Sequence, residues 1–205
     1  MSFSARFSQF NIDDLSMKLY ASKPADVERA LQYPSGNLSS LMALLSPAAE
    51  AYIEQMAQAA AQITRQRFGA NLGLYLPLYL SNLCANECDY CGFSMSNKIN
   101  RKTLNDDELL AEVDIIKSRG FDSILLVSGE HETKVGIEYF AHVLPQIKQH
   151  FSYVAMEVQP LKTDEYQRLV ALGLDAVMVY QETYQPQTYT KHHTRGKKQD
   201  FIQRL

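Results

Sequence analysis

The pattern of apolar and polar positions divides the chain near residue 70. Residues 1–70 predict a helical region. Its clearest stretch begins with Ser46 as a candidate N-cap and Pro47 at the first helical position, continues through helix-forming Ala, Gln and Met, and ends at Gly69. A second stretch, residues 24–31, also begins with a proline and carries acids early. We interpret both stretches as structural helix that carries no chemistry.

From residue 72 onwards, short apolar runs alternate with amphipathic stretches. The runs predict buried strands, and the stretches between them predict helices. Such alternation indicates an α/β fold with a parallel sheet and crossover helices, which a doubly wound sheet and a (β/α) barrel both satisfy. We therefore expect a helical region at 1–70 and an α/β domain at 71–205. The predicted strands are 72–80, 121–130, 151–160 and 174–183, and the predicted helices are 104–120, 135–150 (with Pro145 as a candidate kink), 163–173 and one that starts at 197.

Polar side chains follow all four predicted strands. Three cysteines follow the first strand, and carboxylates or amides follow the other three, in segments 128–131, 157–160 and 180–183. Because the carboxyl ends of parallel strands meet at one edge of a sheet, these groups are expected to share one site.

Composition narrows the class of protein. The chain has 205 residues, a net charge of −3 and a pI of about 6.0, with no basic stripe, so we expect no nucleic-acid partner. No apolar run approaches the roughly 18 residues of a membrane helix, and the first residues carry no signal-peptide pattern. All three cysteines lie within one short loop, which suggests a reducing compartment. The prediction is a cytoplasmic protein without a membrane partner.

The cysteines have the spacing Cys84-x3-Cys88-x2-Cys91. Thiolates select zinc, copper(I) or iron–sulfur clusters. A structural zinc site needs four ligands, and His131 or His142 could supply the fourth, although nothing in the spacing requires either. Iron–sulfur clusters usually take four cysteines, so three would leave one iron open to a small molecule.

This spacing, with Tyr90 directly before the third cysteine, resembles the signature of the radical S-adenosylmethionine (SAM) superfamily. The resemblance implies a partial (β/α) TIM-type barrel of about four βα units after the N-terminal helical region, with its C-terminal half missing. The chain would then be an N-terminal portion that is inactive alone, as its end within a predicted helix also suggests. Further blocks resemble the tyrosine-lyase branch that serves thiamine biosynthesis: "SNLCANECDYCGFSMSNK", "LLVSGEHETKVG", "MEVQPL" and "VMVYQETYQPQTYTKHHTRGKKQDF".

The resemblance implies the following chemistry. The three thiolates hold a [4Fe-4S] cluster whose fourth iron binds S-adenosyl-L-methionine. A 5'-deoxyadenosyl radical then abstracts a hydrogen atom from L-tyrosine. Cleavage of the tyrosine Cα–Cβ bond gives 2-iminoacetate and p-cresol. The implied partners are L-tyrosine as substrate, thiazole synthase and a flavodoxin-like electron donor.

Roles for individual residues also follow from the resemblance. Cys84, Cys88 and Cys91 are the expected metal ligands. The expected cofactor-binding residues are Tyr90, Ser128, Gly129, Glu130 (for the methionine amino group) and Glu157 (for the ribose hydroxyls), and the expected catalytic residues are Gln181 and Glu182. A basic stretch could bind the substrate carboxylate or the cofactor, or could be a solvated loop: Lys191, His192, His193, Arg195 and Lys197.

Three alternatives stay open on sequence alone. The first is the tyrosine lyase of hydrogenase maturation, whose second cluster uses C-terminal cysteines. The second is a zinc-binding or iron-carrying module without catalysis. The third is a non-catalytic half-barrel that pairs with a partner chain.

Overall fold

A computed structural model describes residues 2–34 and 36–200, without the side chains of residues 199 and 200. The chain forms two compact units, Met1–Leu72 and Gly73–Leu205. Within the described residues, no helix is long and apolar enough to cross a bilayer.

The first unit is helical and has a small core of Val27, Ala30, Ala43 and Ala49. The single helix predicted from Ser46 to Gly69 was wrong at its start. The Ser46 hydroxyl donates to the Ala43 carbonyl (2.7 Å) and does not cap the next helix, and a 3-10 helix over Pro47–Tyr52 precedes the α-helix that begins at Ile53. The helices of the first unit are α1 (Phe3–Phe7), α2 (Ile12–Tyr20), α3 (Pro24–Gln32), α4 (Leu38–Leu45), the 3-10 helix Pro47–Tyr52 and α5 (Ile53–Phe68).

The second unit is built on a four-stranded parallel sheet, in which the first, third, fourth and fifth strands of the chain lie side by side in that order. The spatial order follows the chain order without reversal, which is the winding of a (β/α) barrel and not of a doubly wound sheet. The predicted α/β class with a partial barrel is confirmed. The barrel is partial because the described residues form four of the eight parallel strands that a closed barrel has. The strands are β1 (Leu76–Ser81), β2 (Glu87–Cys88), β3 (Ser123–Ser128), β4 (Tyr153–Glu157), β5 (Ala176–Val177) and β6 (His193–Arg195).

Three crossover helices cover one face of this sheet, because alternate strand residues such as Leu80, Leu126 and Met156 form one buried cluster with all three. The predicted start of α6 is confirmed: Asn105 accepts from the Glu108 amide (3.0 Å), and Glu108 accepts from the Asn105 amide (3.2 Å). The helices are α6 (Asp106–Ser118), α7 (Ile137–Lys148, which continues through Pro145), α8 (Thr163–Ala171), α9 (Pro186–His192) and the 3-10 helix Lys197–Asp200.

Near the end of the chain, the last predicted strand was wrong in its length, and the last predicted helix lies mostly outside the described residues. The strand predicted at 174–183 spans only Ala176–Val177, where it pairs with β4, and the Met178 amide makes one more bond, to the Met156 carbonyl (2.8 Å). The helix expected from 197 is a 3-10 turn as far as Asp200, and its predicted remainder lies outside the described residues. Helix α9 and the small β2–β6 sheet had no counterpart in the sequence pattern.

Candidate functional site

A cavity of about 260 Å³ lies where the strands end. Segments that follow β1, β3, β4 and β5 all contribute side chains to it. The convergence expected for parallel strand ends is therefore present. Nine of the residues singled out in the sequence line it: Cys84, Cys88, Tyr90, Cys91, Ser128, Gly129, Glu130, Glu157 and Glu182.

All three thiols are free, and they differ in exposure: Cys88 is buried, whereas Cys84 and Cys91 are partly buried. Burial raises the pKa of Cys88 to about 11, with the Lys198 ammonium acting in the opposite direction. A thiol of this kind becomes a ligand when a cation takes the place of its proton. Among the residues that the structure describes, no three His, Cys, Asp or Glu side chains converge on a point where a single metal ion would sit.

The cysteine loop is held in shape by Arg101. Its guanidinium donates to four backbone carbonyls: Asn82 (2.7 Å), Phe93 (2.8 Å), Ser94 (2.6 Å) and Asn97 (3.1 Å). The planar fork of donors suits such a cluster of acceptors, and it ties the end of β1 to the residues after Cys91. Sequence reasoning missed this residue because its partners are main-chain atoms.

The turn after β3 approaches the cysteine loop closely. The Gly129 amide donates to the Ser81 carbonyl (2.9 Å), and the Ala85 amide donates to the Glu130 carbonyl (2.8 Å). A Cβ on Gly129 would lie 2.5 Å from the carbonyl oxygen of Leu83, so only glycine permits this approach. The turn thereby sets Gly129 against Cys84 and the Glu130 backbone against Ala85.

Asn86 is buried between Cys84 and Cys88 and connects three segments. Its side-chain amide donates to Glu130 Oε2 (2.8 Å), and its Oδ1 accepts from the Lys198 backbone amide (3.3 Å). Gly196 (φ +92°) packs against it so tightly that a Cβ there would overlap Asn86 Oδ1. Neither Asn86 nor Lys198 was singled out in the sequence.

The basic stretch does not behave as one element. His192 pairs with Asp89 (2.7 Å) and Lys197 with Glu132, while Lys191 and Arg195 are exposed. His193 is 1% exposed and lies on β6, which pairs antiparallel with β2 so that His193 stands opposite Cys88. Neither the substrate-binding nor the solvated-loop interpretation describes His193, because its contacts come from the packing of β6 onto the cysteine loop.

A polar cluster forms the wall beside Cys88. Tyr90 Oη lies 2.6 Å from His193 Nε2, and Lys198 Nζ lies 3.3 Å from Tyr90 Oη and 3.2 Å from Glu182 Oε1. Burial and the neighbouring Glu182 raise the pKa of Tyr90. Burial also acts to raise the pKa of Glu182, but its contacts with Tyr90 and Lys198 outweigh this effect and keep that pKa low. The wall thus carries a charged acid and a charged amine side by side.

The remaining sequence candidates lie as follows. Glu157 is partly buried at the end of β4 and faces the cavity, while Gln181 follows β5 and its Oε1 is buried with no hydrogen-bond partner among the described residues. His131 contacts Thr133 (3.2 Å), and His142 pairs with Asp106 of α6 (2.9 Å). Neither histidine lines the cavity, so the arrangement offers no support for a zinc site completed by them.

Comparison with known proteins identifies the family. The sequence model of the radical SAM superfamily matches residues 78–205. This range includes the cysteine loop and the whole four-stranded sheet apart from the first two residues of β1.

The chain belongs to the radical SAM superfamily.

It is 54% identical over 203 residues to 2-iminoacetate synthase of Escherichia coli (strain K12), and 53% identical over 203 residues to that of Salmonella typhimurium (strain LT2). Each alignment covers 99% of this chain and 54% of the relative. The crystal structure of the FeFe-hydrogenase maturase HydG from Carboxydothermus hydrogenoformans superposes with a TM-score of 0.88 at 25% identity, over 100% of this chain and 50% of that one. The chain thus spans about half the length of the relatives it matches.

Membership of this superfamily implies a [4Fe-4S] cluster and SAM. The donor set fits both groups. Three free thiols border one cavity, as a cluster with one open iron requires. The same cavity also presents Glu130, Glu157 and Ser128, whose buried hydroxyl has no hydrogen-bond partner among the described residues. An unpaired buried hydroxyl is costly, which is consistent with a site shaped for a polar ligand.

Proposed function

We propose that this chain carries the cofactor-binding part of a lyase that cleaves the Cα–Cβ bond of L-tyrosine to 2-iminoacetate and p-cresol, for the thiazole of thiamine. The observation that carries the proposal is the 54% identity to 2-iminoacetate synthase over 99% of the chain. The cavity supports it, because the thiols and the acids expected to receive the cofactor border the same space.

In this proposal the thiolates of Cys84, Cys88 and Cys91 would hold three irons of the cluster. When bound, the cluster and SAM supply the one-electron chemistry that removes a hydrogen atom from the substrate. Glu130 offers a carboxylate to the ammonium of SAM, a charge-assisted contact. Asn86 holds Glu130 Oε2 at 2.8 Å, which keeps that carboxylate oriented before the ligand arrives.

Other cavity residues would fix the ligands and exclude water. Glu157 can accept two hydrogen bonds from a ribose diol. Glu182 and Lys198 present opposite charges 3.2 Å apart, which suits a zwitterion such as an amino acid. Apolar side chains complete the walls and keep a reactive intermediate from water: Phe93, Val127, Val158 and Val179. L-tyrosine, thiazole synthase and a flavodoxin-like donor are the partners that we propose.

A second candidate is the lyase of hydrogenase maturation, because the fold superposes on HydG with a TM-score of 0.88. Identity separates the two: it is 54% to 2-iminoacetate synthase and 25% to this HydG structure. The thiamine enzyme is therefore the better supported assignment.

Anaerobic reconstitution tests the cofactor assignment. We expect about four irons and four sulfides per chain, and a cluster EPR signal that changes when SAM is added. Cys88→Ser should abolish the SAM-dependent change and lower the iron content. Asp114→Asn, an exposed substitution on α6, is the matched control and should behave like the unaltered chain. Stoichiometric zinc in place of iron would contradict the assignment.

The substrate assignment can be tested in a chimera that joins residues 1–205 in frame to the remaining C-terminal part of the Escherichia coli relative. With SAM, a reductant and L-tyrosine, the chimera should release p-cresol, measured by liquid chromatography. The Cys88→Ser chimera should release none. A chimera that binds the cluster and cleaves SAM but leaves tyrosine intact would overturn the substrate and leave the cofactors standing.

A further inference from the structure

We propose that His193 is a positioning residue that holds the phenol of Tyr90 in its place in the cavity wall. It is 1% exposed, it does not line the cavity, and both of its ring nitrogens lie within hydrogen-bond distance of a named oxygen. A buried imidazole with two such partners is held in one ring orientation. The partners therefore define what the ring does.

The first partner fixes the tautomer. His193 Nδ1 lies 2.7 Å from the backbone carbonyl oxygen of Tyr189. A carbonyl oxygen only accepts, so Nδ1 must carry a hydrogen. In the neutral ring Nε2 is then an acceptor, and it faces Tyr90 Oη at 2.6 Å. The phenol of Tyr90 consequently donates to His193.

The hydrogen bonds then run in one direction from the cavity into the protein. Lys198 Nζ can only donate, and it lies 3.3 Å from Tyr90 Oη. Tyr90 accepts that bond and donates its own hydrogen bond to His193 Nε2, and His193 Nδ1 donates to the Tyr189 carbonyl. The carboxylate of Glu182 is further from the imidazole, at 3.5 Å from Nε2. The Tyr90 phenol also contacts Glu182 and lowers the pKa of that carboxyl, so Glu182 competes with His193 Nε2 for the single phenol proton. If Glu182 took that proton, Nε2 would have to carry a hydrogen in order to bond to Tyr90 Oη.

Packing holds the imidazole in place for this role. The ring of Tyr189 stacks on it at 3.9 Å between centroids, with 23° between planes, and the ring of Tyr90 meets it edge-on at 5.5 Å. The backbone of His193 pairs with Cys88 through the β2–β6 sheet. The same residue thus anchors the loop of the second thiol by its backbone and the neighbouring cavity wall by its side chain.

The consequence for the cofactor rests on the proposed function. Tyr90 lies between Cys88 and Cys91 in the chain, and its ring forms part of the cavity wall. Without His193 Nε2 the phenol keeps only Lys198 and Glu182 as polar partners, so the ring is held less firmly in one rotamer. SAM would then meet a wall that is not pre-organised, so its affinity should fall while the thiols still bind iron.

The hydrogen-bond chain is tested in the metal-free chain labelled with 15N-histidine. Long-range 1H–15N NMR should show one of the five histidines as a neutral Nδ1–H tautomer, and that signal should disappear in His193→Asn. In Tyr90→Phe the same histidine should remain, with its Nε2 resonance shifted because the donor is gone. An Nε2–H tautomer, two protonated nitrogens, or no response to Tyr90→Phe would each overturn the proposal.

A second measurement tests the consequence. Asn can keep the donor to Tyr189 but lacks the acceptor for Tyr90, whereas Gln can place an oxygen near the position of Nε2. After reconstitution, His193→Asn should hold as much iron as the unaltered chain and bind SAM about fivefold more weakly, and His193→Gln should recover most of that loss. Equal SAM affinity in all three would overturn the positioning role. If the unaltered chain assembled no cluster, the proposed function would fail and the NMR result alone would decide the role of His193.

Discussion

At the scale of single residues, the site depends on contacts that leave no space for change. A Cβ on Gly129 would lie 2.5 Å from the Leu83 carbonyl oxygen and 3.1 Å from Cys84 Cβ. Gly129→Ala should therefore push the turn after β3 away from the first thiol, lower the iron bound after reconstitution several-fold and destabilise the chain by about 1–3 kcal/mol. Iron analysis and urea unfolding measure the two effects.

The control for this substitution lies in the same loop. Gly92 follows Cys91 directly, has no atoms within 4 Å of an added Cβ, and has no left-handed φ angle. Gly92→Ala should leave iron content and stability unchanged within about 0.5 kcal/mol. Equal losses in both variants would show that close approach is not what requires Gly129.

A second prediction at this scale concerns Asn86. Asn86→Asp replaces the donor to Glu130 by a second carboxylate at 2.8 Å, so two like charges would face each other in a partly buried site. We expect a lower melting temperature near neutral pH, measured by calorimetry. The exposed Asn100→Asp adds the same charge without that contact and should have little effect. Matching losses would attribute the effect to net charge.

The residues that sequence reasoning found share a simple signal. The thiols, Glu130 and Glu157 directly follow apolar runs, so the strand-end rule locates them without any tertiary information. Asn86 and His193 carry no such signal. Each is defined by partners far along the chain: 44 residues away for Asn86 and Glu130, and 103 for His193 and Tyr90.

At the scale of elements, local contacts define helix α6, whereas contacts with distant residues define strand β6. The start of α6 was predictable because Asn105 and Glu108 cap it locally. Strand β6 was not, because its two-residue partner Glu87–Cys88 is too short to show a periodic pattern and lies about 100 residues earlier. Short pairings between distant residues are set by the surrounding fold. Here the pairing joins Cys88 of the cysteine loop to His193.

A contact that depends on the charge of Asp175 joins helix α7, strand β4 and the segment just before β5, near the amino-terminal ends of these strands. Asp175 Oδ2 accepts from Lys148 Nζ (2.6 Å), at the end of α7, and from the Val154 amide (2.8 Å) of β4. These two bonds, that from Lys148 first, lower the pKa of Asp175. A lowered folded-state pKa stabilises the fold above the unfolded value, near 4, and this contribution is lost as the pH falls through the folded value.

Asp175→Asn should therefore reduce the free energy of unfolding by about 1 kcal/mol at roughly neutral pH, and by progressively less below about pH 4. Urea unfolding followed by circular dichroism at several pH values measures this. Asp114→Asn, on an exposed position of α6, serves as the control. A deficit that stays constant down to acidic pH would show that the charge on Asp175 is not what stabilises this junction.

At the scale of the whole molecule, the two compact units differ in how much apolar surface they bury. Among its described residues, the first has only Val27, Ala30, Ala43 and Ala49 in its buried cluster, and helix α5 contributes no fully buried side chain. The second buries large side chains from three helices and three strands, Phe140, Leu144 and Met156 among them. Because a buried large aliphatic side chain contributes about 1.5–3 kcal/mol, the units should differ in local stability.

Hydrogen exchange followed by mass spectrometry tests this difference. Amides of α3 and α4 should exchange faster than those of β3 and β4 under native conditions, because opening the first unit exposes less apolar surface. Leu144→Ala, which creates a cavity in the second core, should cost about 2–5 kcal/mol and accelerate exchange in β3 and β4 while leaving α3 and α4 unchanged. Equal protection in both units, or acceleration of both by this substitution, would show that they unfold as one cooperative body.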